Sequence, residues 1–227
     1  MTAAALTARA RELVLASTLA TYPDPELNEI LTGLGPAVAA HPGAAAVAAT
    51  LASVGLDELR ARYVDLFDRG GQRASLYETE YGRMRGMSKG RDLADLAGFY
   101  RAFGLVLDED RHEMLDHLAV ELEFYAVLLL KQAVLIDRAD AEGIEIVLDA
   151  RRKFLVEHLG GLAGAVAGRR EVQGDPVYGG VLAWTARLIA DECAALEVTP
   201  APLDFFDDAD AKGEMKCGAV HLPVVQP

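Results

Sequence analysis

Apolar side chains recur every three or four residues along most of this chain, the spacing of one face of a helix. Leu6, Leu13 and Leu19 mark a first helix that Thr2 is placed to cap. Tyr22-Pro23-Asp24-Pro25 ends it, because a proline disfavours helix in the residue before it. A short helix near Glu26 to Leu31 and an alanine-rich one over Ala44 to Val54 follow, separated by breaks at Gly33, Gly35, Pro36 and Pro42-Gly43. Leu56, Leu59, Tyr63, Leu66 and Phe67 form the next stripe, with Asp57, Glu58, Arg60 and Arg62 opposite. Leu93, Leu96, Tyr100 and Phe103 form another, which Gly104 is placed to end. Two long helices are expected from His112 to about Asp137 and from about Ala141 to Gly160. Asp175-Pro176 reads as an N-cap and first helical residue, opening a last helix through Trp184 and Leu188 to about Leu196.

The pattern predicts an all-α fold: a single globular helical-bundle domain of about eight to ten helices over residues 1–199, with a loop-rich centre and two lobes that could meet near 105–112. Gly160, Gly161 and Gly164 allow a bend or close packing of helices. Residues 200–227, rich in Pro and Asp, lack periodicity and read as a surface tail anchored by Phe205-Phe206.

Composition agrees with helix, since apolar residues make up 52% and aromatics 7%, with Ala and Leu dominating. The formal charge, 22 basic minus 35 acidic residues, is -13, which argues against nucleic acid or anionic lipid and favours a basic partner. Two cysteines, Cys193 and Cys217, suggest neither a disulfide framework nor a zinc site. Arg9, Arg11 and Glu12 interrupt what an export signal would need. The most apolar stretch, Leu118 to Ile136, carries Glu121, Glu123 and Lys131, and is a core helix with no stable membrane insertion.

Residues 69–91 reverse the charge, with Arg69, Arg73, Arg83, Arg85, Lys89 and Arg91 against Glu78 and Glu80. An anion site and internal pairing are both consistent with this. Glu113, His117 and Glu121, at i, i+4 and i+8, would share one helix face and could bind a metal or move protons. A ferritin-like site is poorly supported, since Glu109 and His112 form the one Glu-x-x-His pair. Ser75 has no nucleophile elbow, and no phosphate-binding loop is present. Tyr77 and Tyr81 stand out as aromatics in a polar loop, and aromatics rimmed by carboxylates suit an amphipathic peptide that carries arginines.

Three segments, Tyr63-Val-Asp-Leu66-Phe67, Ser75-Leu76-Tyr77-Glu78 with Tyr81-Gly82, and Glu113-Met-Leu-Asp116-His117-Leu118 running into Glu121-Leu-Glu123-Phe124, together resemble the TorD/DmsD/NarJ family of redox-enzyme maturation chaperones. The resemblance continues in Phe154-Leu155-Val-Glu-His158-Leu159 and Pro176-Val-Tyr178, and so covers roughly residues 55–195. Met114 stands where the family usually has proline, and glycine at 160 or 161 replaces a common tryptophan. The loop resembles the branch serving dimethyl sulfoxide reductase-type enzymes more than the nitrate reductase branch.

The resemblance implies an all-helical cytoplasmic chaperone, not an enzyme. Such proteins bind the N-terminal, twin-arginine-type leader of a molybdenum-containing oxidoreductase catalytic subunit until its cofactor is inserted. It implies leader-binding residues at Tyr63, Leu66, Phe67, Asp116 and His117, to which the groove reading adds Tyr77, Glu78, Tyr81, Glu121 and Glu123. No resident cofactor or metal is expected, beyond transient contact with the client's molybdenum cofactor or a guanine nucleotide. Either a monomer or a homodimer is consistent with the sequence. A helical metal-dependent or small-ligand protein using Glu113, His117 and Glu121 is the alternative.

Overall fold

The computed structural model describes residues 1–27, 49, 52–68, 73–82, 89–106 and 113–204, and these are helical with no strand longer than an isolated bridge. The expected helices over Glu26 to Leu31 and Ala44 to Val54, the 105–112 junction, much of the basic loop and Phe205-Phe206 lie wholly or largely outside the described residues.

Helix α1 (Ala3–Leu19) starts as its sequence requires, with Thr2 Oγ1 accepting from Ala5 N at 3.2 Å. It packs along α4 (Leu118–Asp137), the central helix, whose first three turns are buried on nearly every side. A helix that is apolar all round belongs inside a bundle, and α4 carries Leu118, Leu122, Tyr125, Leu128 and Leu129 at 0% exposure. Helix α5 (Ala141–Phe154) is capped by Asp140, which accepts from Gly143 N, and packs against α4. α6 (Gly160–Gly168), the single turn α7 (Arg170–Gln173) and α8 (Tyr178–Ala195) close the bundle. Asp175 Oδ1 accepts from both Val177 N and Tyr178 N at 2.8 Å, but α8 opens at Tyr178 with Val177 as its N-cap, two residues later than Asp175-Pro176 predicts.

Two shorter helices contribute to the same core. α2 (Leu56–Tyr63) and α3 (Lys89–Ala102) present Leu59 with Tyr63, and Leu96 with Tyr100, to the core. Gly104, at φ 77°, ends the α3 segment, where Leu105 N donates to Tyr100 O at 2.9 Å. Phe99, Tyr100 and Phe103 meet Phe124 of α4, and Phe99 also packs on Phe154, with ring centroids 4.7–6.5 Å apart.

Helical periodicity fails to foresee two wide turns. α2 continues through a π turn at Val64–Asp68, and α5 through another at Leu155–Leu159 that leads directly into α6. A π turn holds one residue more than an α turn and occurs disproportionately at functional sites. Both fall on segments that carry the family resemblance, Tyr63 to Phe67 and Phe154 to Leu159.

The helix expected from His112 begins instead at Leu118. Residues 76–78 and 116–118 pair as two antiparallel rungs: Leu118 N donates to Leu76 O at 2.7 Å and Glu78 N to Asp116 O at 2.9 Å, around a Tyr77–His117 bridge. This extended pairing leaves His117 as the N-cap of α4, its Nδ1 accepting from Ala119 N at 3.2 Å. The expected single-face row of Glu113, His117 and Glu121 therefore does not form, because the first two precede the helix.

Residues 200–204 run over α6. A Cβ at Gly160 would lie 2.8 Å from the Pro200 ring, and one at Gly161 would lie 2.9 Å from Ala201 O. Close packing is thus what the two glycines permit, while Asp204 O accepts from Gly82 N at 2.7 Å. Among the described residues, no helix is long and apolar enough to cross a membrane.

Candidate functional site

The two-rung pairing positions most of the polar residues singled out from the sequence. Asp116 is fully buried, and its Oδ2 accepts from Thr79 N at 3.1 Å and Thr79 Oγ1 at 2.6 Å. Those bonds hold the 3-10 turn Glu78–Glu80 against the start of α4. Tyr77 is half-buried, its ring edge-on to His117 with centroids 4.9 Å apart and its hydroxyl donating to Glu113 Oε2 at 2.6 Å. Glu113 Oε2 also lies 3.7 Å from His117 Nε2.

Behind this pair sits Glu121, in the first turn of α4 and at 0% exposure. Among the described residues, neither of its oxygens nor Asp116 Oδ1 has a hydrogen-bond partner. Burial, and then the charges of Glu78 and Asp116, push the Glu121 carboxyl well above its usual range. It is therefore protonated where ordinary glutamates are charged. An incoming cation would reverse that preference.

Glu78 turns away from Asp116's side chain to His158, with Nδ1 at 3.0 Å from Oε2. Burial works against a charged His158, yet Glu78 and Asp95 outweigh it and its pKa lies above the usual value. Burial likewise raises the Glu78 carboxyl, opposed by His158. Both directions agree that the pair retains a proton.

Tyr63, Leu66 and Phe67 lie at the end of α2 and its π turn. Tyr63 and Leu66 are buried, Phe67 partly so. Tyr22, Phe67 and Tyr178 surround the Tyr63 ring at 5.1–6.0 Å, and Tyr22 is 44% exposed. Burial raises the Tyr63 hydroxyl pKa, and so does the charge of Glu113, which also receives Tyr77. Glu113 thus lies between the aromatic cluster and the Asp116-His117 corner.

Two residues of the expected set sit elsewhere. Glu123 faces α1, where its Oε1 accepts from Ser17 Oγ at 3.1 Å. Tyr81 is buried, donating to Ser75 O at 2.6 Å, so it closes its own loop. Thr79, Tyr22 and Tyr178 were not foreseen as part of this region. Tyr178 had a signal in the Pro176-Val-Tyr178 resemblance, but nothing in the sequence pairs Thr79 with Asp116, 37 residues away.

In chemical terms the described residues of the region offer two buried carboxyl groups, Asp116 and Glu121, that have oxygens without a hydrogen-bond partner, an aromatic surface beside them, and a half-buried tyrosine between. Among the described residues, no nucleophile-base-acid constellation lies within it. The arrangement is receptive to a group that is both cationic and attached to apolar surface.

Comparison with known proteins places these features in a family. The chain is 43% identical over 112 residues, 47% of its length, to the chlorate reductase assembly chaperone protein of Ideonella dechloratans. It is 43% identical over 108 residues to the selenate reductase assembly chaperone protein of Thauera selenatis, and 41% identical over 69 residues to the perchlorate reductase assembly chaperone protein of Dechloromonas aromatica. The matched parts span 54%, 52% and 29% of those relatives, so the chain covers about half the length of the first two. The family described as "Nitrate reductase delta subunit" matches residues 24–166, more than half of the chain and all of the paired corner. That description names nitrate reductase and not the dimethyl sulfoxide branch suggested by the loop, while the relatives' names contain neither. On this match the chain belongs to the nitrate reductase delta subunit family.

Proposed function

We propose that this protein is a system-specific, non-enzymatic assembly chaperone. In this reading it binds the catalytic subunit of a molybdenum-containing reductase in the cytoplasm. It holds that subunit's N-terminal, twin-arginine-type leader until the cofactor is in place. The relatives' names support an assembly role, and family membership supports the client class.

The observation that carries the leader reading is the set of buried acceptor oxygens that have no hydrogen-bond partner among the described residues, Asp116 Oδ1 and both oxygens of Glu121. A buried carboxyl without a partner costs stability unless something arrives to satisfy it. A leader arginine supplies a planar fork of N–H donors suited to carboxylates. Entry requires Tyr77 to leave Glu113, after which the leader's apolar side chains lie along Tyr22, Phe67 and Tyr77. The net charge of -13 draws a basic leader in and makes its capture weaken with salt. Because Glu121 is held protonated, binding an arginine beside it releases a proton.

The test is calorimetry of the full chain with a synthetic twin-arginine leader, repeated in buffers of different ionisation enthalpy. One-to-one binding that weakens with salt, releases protons and is reduced at least about tenfold by Glu121→Gln is expected, tenfold being about 1.4 kcal/mol. Absence of leader binding, together with no reductase catalytic subunit retained on the tagged protein from anaerobically grown native cells, overturns the proposal.

A further inference from the structure

The second π turn builds a different site on the other side of Glu78. His158 is 4% exposed, its ring packed against Phe99 and Phe154 at 5.6 and 5.4 Å. Glu78 holds its Nδ1. The other nitrogen, Nε2, has no hydrogen-bond partner among the described residues, and His158 lines a cleft of about 770 Å³ together with Asp95 and Glu157. Asp95 Oδ2 of α3 lies 3.3 Å from Nε2, outside hydrogen-bond alignment. Glu157, the residue before His158, brings a third donor, and one ligand atom from each of the three lies within 4.8 Å of the others. No other such group occurs among the described residues.

From these observations we infer that Asp95, Glu157 and His158 form a binding site for a divalent first-row cation such as Zn²⁺, with the fourth position open to the cleft.

The spacing fits a shared ion. Two donors about 2.1 Å from a tetrahedral Zn²⁺ stand roughly 3.4 Å apart, and His158 Nε2 and Asp95 Oδ2 already stand at 3.3 Å. The carboxylates of Asp95 and Glu157 are exposed, so both can close on an ion. Glu78 supplies what a metal-bound histidine ordinarily has, a carboxylate that keeps the proton on the far nitrogen, so that an ion displacing the proton from Nε2 to solvent meets a lone pair aimed outward. One imidazole and two carboxylates favour a borderline ion of the zinc and iron(II) kind over calcium or magnesium, whose sites are built from oxygen. Such an ion would tie α3 to the turn that joins α5 and α6. The site is separate from the Glu113, His117 and Glu121 row considered from the sequence, and it stands whether or not the leader reading does.

The experiment uses the full chain, stripped of metal with chelator and titrated with Zn²⁺ by calorimetry and thermal melting. One Zn²⁺ per chain and a raised melting temperature are expected. Asp95→Asn with Glu157→Gln should weaken the affinity at least about a hundredfold, read against the variant's own metal-free melt, which loses the contact between Asp95 and His158. Glu78→Gln should keep the stoichiometry and weaken affinity by about 10- to 100-fold. The inference is overturned by no binding and no melting shift in excess Zn²⁺, or by a double variant that binds as tightly as the parent, which would place the ion elsewhere.

Discussion

Replacing Glu121 by glutamine isolates a titration that burial shifts well above its usual range. Glutamine matches the protonated carboxyl in shape and stays neutral at every pH. Glu121 is wholly buried, without a hydrogen-bond partner among the described residues, and burial raises its folded pKa well above 4.5. In the unfolded chain the group ionises near its ordinary value. Between the two values the folded state holds a proton that the unfolded state has lost, so stability falls as pH rises. Below the lower value both states are protonated and the group has no effect. The slope is at most one proton, about 1.4 kcal/mol per pH unit. For a chain of this size that corresponds to roughly 3–6 °C of melting temperature per pH unit. Melts of parent and Glu121→Gln from about pH 5 to about pH 7 should therefore start close together and diverge, the variant gaining on the parent as pH rises. Taking the difference between the two cancels the other titrating groups. Parallel profiles would show that Glu121 titrates alike in both states. A variant that loses ground with rising pH would show an ionised, paired native carboxylate. Either result refutes the reasoning.

Three further perturbations probe the frame around the site. Arg151, 1% exposed, donates to Gln132, to Tyr125 at 3.2 Å and to Glu192 at 2.5 Å, so Arg151→Ala leaves Glu192 buried with Arg9 as its remaining cation and should cost about 3–5 kcal/mol in urea unfolding. A loss under about 1 kcal/mol would assign that network little weight. Asp116→Ala removes the acceptor for both Thr79 donors, at about 1–3 kcal/mol for each donor left buried, so lowered leader affinity in that variant must be read beside its denaturation midpoint. Gly160→Ala places a methyl 2.3 Å from Leu155 O and against Pro200 and should destabilise by about 1–3 kcal/mol, whereas Gly164→Ala meets nothing within 4 Å and should be neutral or gain up to about 1 kcal/mol; equal effects in the two would contradict the packing described.

The sequence made the long helices legible because their apolar residues must repeat at 3.6 to be buried, as Leu6 to Leu19 and Leu118 to Leu129 do. It misplaced the start of α4 because the residues that stop that helix, Leu76 to Glu78, are some forty positions earlier and act through backbone pairing that no local pattern announces. The fate of individual carboxylates was equally hidden. Glu121 and Glu123 lie two residues apart on one helix, yet the first is sealed in the bundle and the second bonds Ser17 of α1. Periodicity places a residue on a face but does not say which neighbour covers it. His158 was visible as part of a resemblance, while its link to Glu78 and Asp95, 80 and 63 residues earlier, depends on tertiary packing alone.

The π turn at Leu155–Leu159 also works as a phase shifter. In an α-helix each residue advances the direction of the side chains by about 100°. The extra residue in this turn offsets everything after it by about that angle relative to α5. Without that offset, the face of α5 that carries Val147 and Phe154 would not continue into a segment whose Gly160 and Gly161 meet residues 200–203. Deleting a single residue from the turn would shorten the chain by less than half a percent, and the straightened helix would still be apolar and well capped. Yet it would carry the glycine face off residues 200–203 and rotate His158 away from Glu78. Chains of this kind are thus expected to tolerate substitution within the turn far better than a change in its length.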